Sequence, residues 1–96
     1  MPMSLQQAQK LLQHALHTRK FDHLNVRAHD TYLTVYSREK GEEALRVLLL
    51  QLGADCFWLN LAGPKGKIQP TPFVGSVSEL FPILTGKLAF SLARWH

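Results

Sequence analysis

Apolar residues recur along this chain in two rhythms, and the switches between them divide it into helix, sheet and helix. Leu5, Ala8, Leu12, Ala15 and Leu16 fall on one stripe at helical spacing, with Lys10, His14 and His17 pointing the other way. Ser4-Leu5-Gln6-Gln7 is a capping box, because the Ser4 hydroxyl can accept from the Gln7 N–H while the Gln7 amide reaches back to Ser4. The pattern predicts an amphipathic helix from Ser4 to about Thr18, with a stripe narrow enough to lie on a sheet.

From Leu24 the period becomes two. Leu24, Val26 and Ala28 alternate with His23, Asn25, Arg27 and His29, and Thr31 to Ser37 is rich in β-branched and aromatic residues. A hairpin turning near His29-Asp30 is expected, with Leu33 and Val35 on the core face and Tyr32, Thr34 and Tyr36 on the other. Arg38 to Glu43 reads as a charged loop.

Two apolar segments then flank the small turn Gly53-Ala54-Asp55. Leu45, Leu48, Leu49 and Leu52 also fit a helix that stops at Gly53, and propensity favours it. A strand over 44–52 is the preferred reading, because 56–62 has strand character and a three-residue turn would fold the two into a hairpin. Leu45, Val47 and Leu49 would then point one way and Leu48, Leu50 and Leu52 the other, leaving both sheet faces apolar.

Gly63 to Lys67 is a turn by composition. Pro70 and Pro72 lack backbone donors and confine Ile68 to Val74 to an edge strand or an extended loop. Ser76 and Glu79 form a second capping box, opening a helix that Pro82 should kink or restart and Gly86 should end. Leu88 to Trp95 reads as a last strand or a helical tail. The order is that of one α+β domain over residues 1–96: an N-terminal helix, an antiparallel sheet of four or five strands built from hairpins, and a second helix near the C-terminus.

Composition narrows the class. The 96 residues are 46% hydrophobic and 19% charged, which is globular rather than disordered. The lone Cys56 cannot form an internal disulfide and reads as a small buried thiol, which makes cytoplasm the expected compartment. The opening MPMSLQQAQK lacks a basic stretch followed by an apolar core, and no apolar run reaches the roughly 18 residues of a membrane span. Neither secretion by that route nor membrane insertion is expected. A net charge of +4 and a pI near 9.6 favour acidic partners, but the eleven Lys and Arg residues are scattered and only Arg19-Lys20 are adjacent.

The chemical motifs fail one by one. Gly63-Pro64-Lys65-Gly66-Lys67-Ile68 lacks both the spacing and the Ser or Thr of a phosphate-binding loop. His14 and His17 could chelate an ion from one helix face, but two ligands are not a site. Cys56 has apolar neighbours beyond Asp55, and Ser76 is explained by capping. No catalytic, cofactor-binding or metal residue is assigned, and no cofactor is expected.

Two surfaces remain. Arg27, Tyr32, Tyr36 and Trp58, extended by Lys65 and Lys67 in an adjoining turn, mix cations with rings as a nucleic-acid face does. Leu48 and Leu50 mark an apolar face that needs cover from the C-terminal helix and tail or from a second copy. The expectation is a small interaction module without catalytic chemistry, self-associating as a homodimer. Nucleic acid or another protein is the alternative partner.

Overall fold

A computed structural model describes residues 4–21, 23–39, 41–63 and 67–88. In chain order the elements are α1 (Leu5–Thr18), β1 (Leu24–Ala28), β2 (Tyr32–Glu39), β3 (Glu42–Gly53), β4 (Cys56–Ala62), β5 (Ile68–Gly75) and α2 (Val77–Thr85). The strands form one antiparallel meander, each paired with the next, so the α+β order stands with the sheet at five strands.

Both capping boxes form. Ser4 Oγ accepts from the Gln7 N–H at 3.1 Å and Gln7 Oε1 accepts from the Ser4 N–H at 2.9 Å. At its far end α1 closes with the Phe21 N–H on the Leu16 carbonyl and the Lys20 N–H on the His17 carbonyl. That double bond pattern places Lys20 at φ +67°, a conformation usually taken by glycine. The α2 run passes through Pro82 and ends at Gly86, where a Cβ would sit 2.8 Å from the Pro82 carbonyl oxygen.

The Leu-rich run is the central strand, β3, paired with β2 on one side and β4 on the other. Helix propensity loses here because ladders on both edges and apolar contacts hold an extended chain more strongly than local preference opposes it. Register corrects the expected alternation. Val35 faces Val47 but Tyr36 faces Leu45, so Arg46 is an extra residue in β3. The bulge sets Arg46 and Val47 both among the buried residues and turns Leu45 to the same side as Leu48 and Leu50, not to that of Val47 and Leu49.

The charged loop is also corrected. β2 runs to Glu39 and β3 begins at Glu42, with Gly41 at φ +83° in the connection, so Arg38, Glu39, Glu42 and Glu43 sit on paired strand ends rather than in a loop, and Lys40 lies outside the described residues. β5 is an edge strand, as its prolines require. The expected last strand or tail over 88–95 lies, beyond Leu88, outside the described residues.

One core joins all layers. Ala8, Leu12 and Leu16 of α1 and Val77, Leu80 and Leu84 of α2 pack with Leu24, Val26, Leu33, Val35, Val47, Leu49, Phe57 and Leu59 of the strands. Both helices therefore lie on one face of the sheet. Of the covers expected for the second face, the C-terminal helix and tail or a second copy, α2 is therefore not one: the short connection through Ser76 returns the chain to the side α1 already occupies, and the tail beyond Leu88 lies outside the described residues. Cys56 is half-buried at the start of β4 rather than a core thiol.

Candidate interaction face

The free edges of the sheet differ in what lines them. Along β1, Gln13 Oε1 accepts from the Val26 N–H at 2.7 Å and Gln13 Nε2 donates to the Leu24 carbonyl at 3.1 Å. Gln9 Nε2 donates to the Val26 carbonyl at 2.8 Å, and His17 Nε2 lies 3.1 Å from the Leu24 carbonyl. Side chains at i, i+4 and i+8 of α1 thus take the place of a neighbouring strand. On β5, Pro70 and Pro72 remove donors, and the strand carries extra residues between its pairings at Pro70 and Val74. Thr71 fills that gap: its hydroxyl donates to the Leu59 carbonyl at 2.6 Å, and its own carbonyl accepts from the Trp58 indole at 2.7 Å. The α1 side chains thus occupy the free side of β1, while on β5 only the missing proline donors weaken the edge, the Thr71 bonds running inward to β4.

Among the described residues the face opposite the helices is only partly open, Asn60 in its middle row being 2% exposed. Cross-strand pairing arranges it in rows: Asn25, Tyr36 and Leu45; then Arg27, Thr34, Leu48, Asn60 and Pro70; then Tyr32, Leu50, Trp58 and Val74. Leu45, Leu48, Leu50 and Trp58 are half-buried, and Val74 is 52% exposed. An apolar strip runs diagonally over the middle of the sheet.

Polar groups gather at one end and satisfy each other. Arg27 meets Glu43 through two bonds, Nη2 to Oε1 at 3.1 Å and Nη1 to Oε2 at 3.4 Å, and lies 4.5 Å from the centre of the Tyr36 ring. Arg38 approaches the same carboxylate at 3.9 Å. The bonds to Arg27 hold the Glu43 carboxyl below its ordinary range, and Glu43 raises Arg27 in turn. His29 stacks on Tyr32 with ring centres 4.4 Å apart, and its Nε2 is 3.1 Å from the Thr34 hydroxyl.

Two shallow depressions adjoin here. One, about 310 Å³, is lined by His29, Tyr32, Thr34, Leu45, Leu48 and Leu50. The other, about 220 Å³, is bounded by Arg27, Tyr36 and Glu43 and shares His29, Thr34 and Leu45 with the first.

The sequence-predicted residues Arg27, Tyr32, Tyr36 and Trp58 do share this face, together with Leu48 and Leu50. Lys67 is exposed at the turn before β5, where its carbonyl accepts from the Gly63 N–H at 2.9 Å; Lys65 lies outside the described residues. Glu43 and Leu45 were missing from the predicted face. Alternation carried back unbroken from Val47 assigns Leu45 to the core, and no feature of the local sequence announces the bulge. Among the described residues no three His, Cys, Asp or Glu side chains come together as a metal site, and no helix is long and apolar enough to cross a membrane. Compared with protein-family models, with curated proteins and with solved structures, the chain gives no significant match, so its function is argued from this face.

Proposed function

We propose that the chain is a cytoplasmic macromolecular-interaction module without catalytic chemistry, and that it binds through the helix-free face of its sheet. The observation that carries this is the strip of Leu45, Leu48, Leu50, Trp58 and Val74, left partly open while the other side of the same strands is sealed under two helices. Apolar area withdrawn from water stabilises a complex by about 25 cal/mol per Å², so a contiguous strip favours an occupant. The single cysteine, with no internal partner, fits a reducing compartment.

Nucleic acid would use the same face at greater cost. A base stacking on Tyr36 must displace Arg27, one stacking on Tyr32 must displace His29, and Glu43 sets a carboxylate where a phosphate would approach Arg27. Titration of labelled single- and double-stranded DNA and RNA between about 50 and 200 mM salt tests the choice. Protein binding expects no saturable complex. Salt-sensitive binding that is lost on Tyr36→Ala would replace this reading with the nucleic-acid one.

A further inference from the structure

We propose that the bulge at Arg46 is a register switch that regulates the helix-free face. The inference rests on the reading of that face as a binding surface and names its regulation. At two neighbouring positions the chain does the reverse of what burial favours: Arg46 is 1% exposed, while Leu45 stands half-buried on the open face. Sliding the end of β3 by one residue against β2 corrects both. Tyr36 then faces Arg46 and Ser37 faces Leu45, so the leucine enters the core and the guanidinium reaches water.

The slide is local. Among the described residues the pairing of β3 with β4 begins at Val47, so residues 42–46 are paired with β2 alone. Four pairs change, from Tyr36 with Leu45 to Glu39 with Glu42, and the connection through Gly41 takes up one residue of β3. The bond from Arg46 Nε to Ser37 Oγ and the pairing of Arg27 with Glu43 are lost, and an apolar side chain is buried in place of a cation. These terms oppose each other and leave the second register a minor state, at about 0.1–10% of the population. In the observed register the end of the face shows Leu45, and Arg27 and Arg38 share Glu43. In the second it shows Arg46 beside Tyr36 and an Arg27 without Glu43. A partner that covers the leucine strip therefore holds the first register only.

The test is cross-linking and amide NMR on the full chain without any partner. In a Cys56→Ser background, Arg38→Cys with Glu43→Cys joins positions that face each other, whereas Arg38→Cys with Ala44→Cys sets the thiols on opposite sides of the strands until β3 slides. Both disulfides are expected to form in glutathione buffer without denaturant, the second more slowly. Relaxation dispersion and saturation transfer should show exchange confined to residues 36–46. Leu45→Arg combined with Arg46→Leu makes the observed register the one that burial favours, and should lower the minor population about tenfold. Far-ultraviolet circular dichroism checks that each variant folds.

A cysteine pair at 38 and 44 that closes only in denaturant overturns the proposal, whatever the amides show. Exchange at 36–46 that the double variant leaves unchanged also overturns it, because it would come from another motion. Either failure leaves the reading of the face standing, since that reading is decided by partner binding and this test contains no partner.

Discussion

Arg46 heads the fully buried side chains at 1% exposure, and it reaches the interior because β3 carries one extra residue. Without the bulge it would share parity with Leu48 and Leu50 and stand on the open face. A buried guanidinium is tolerated only with partners, and its Nε donates to Ser37 Oγ at 3.1 Å. Among the described residues no buried side-chain nitrogen or oxygen lacks a hydrogen bond. Removing that acceptor by Ser37→Ala is expected to destabilise the protein by about 1–3 kcal/mol in urea unfolding. Lys20 offers the opposite case. At φ +67° its Cβ is disfavoured, so Lys20→Gly is expected to raise stability by about 1 kcal/mol, visible as a higher urea midpoint at unchanged slope. A loss of stability would show that the Lys20 side chain contributes more than its backbone costs.

The α1–β1 contact and the start of α2 show elements stabilised by side chains that stand in for backbone. Gln13 satisfies one donor and one acceptor of β1 at once, so Gln13→Ala removes the acceptor of the Val26 N–H and leaves the Leu24 carbonyl to His17. The expected loss is about 1–2 kcal/mol, with faster amide exchange at Val26 than at Val35, whose strand is paired on both sides. Equal exchange at the two sites would mean that water replaces the glutamine at no cost. At α2, the Ser76 backbone N–H donates to Glu79 Oε1 at 2.9 Å, and this bond lowers the Glu79 carboxyl below its ordinary range. A carboxyl lowered in the folded state contributes stability that is fully present above the unfolded carboxylate range and is lost as pH falls through the folded value. Glu79→Gln keeps an acceptor but cannot titrate, so the acid limb of its stability-against-pH curve should be flatter than that of the wild type.

The described residues are two-sided: two helices and a core on one face of the sheet, an apolar strip with a polar end where Arg27 and Arg38 share the Glu43 carboxylate on the other. The whole chain carries a net charge of +4, which acts on a partner at long range. Added salt screens that charge and leaves apolar burial in place. Affinity for a protein partner on the strip should therefore hold between about 50 and 200 mM salt, in the window where phosphate contacts weaken steeply. A complex that dissociates over this range would place ion pairs, not the leucine strip, at its centre.

Much of this architecture is written locally. Ser4 with Gln7 and Ser76 with Glu79 mark both helix starts, because a cap is satisfied within four residues. The alternation through β1 and β2 assigns Arg27, Tyr32 and Tyr36 to one face, because side-chain direction in a strand follows parity alone. Pro70 and Pro72 place β5 at an edge, because a missing donor cannot serve a central ladder. The remaining features depend on residues distant in sequence. The bulge at Arg46, which exchanges Leu45 for a buried cation, exists only against the register of β2. The pairing of Arg27 with Glu43, sixteen residues apart, follows from the same register. The side taken by α2 depends on the core that α1 and five strands assemble together, since an amphipathic helix packs where apolar surface is already gathered.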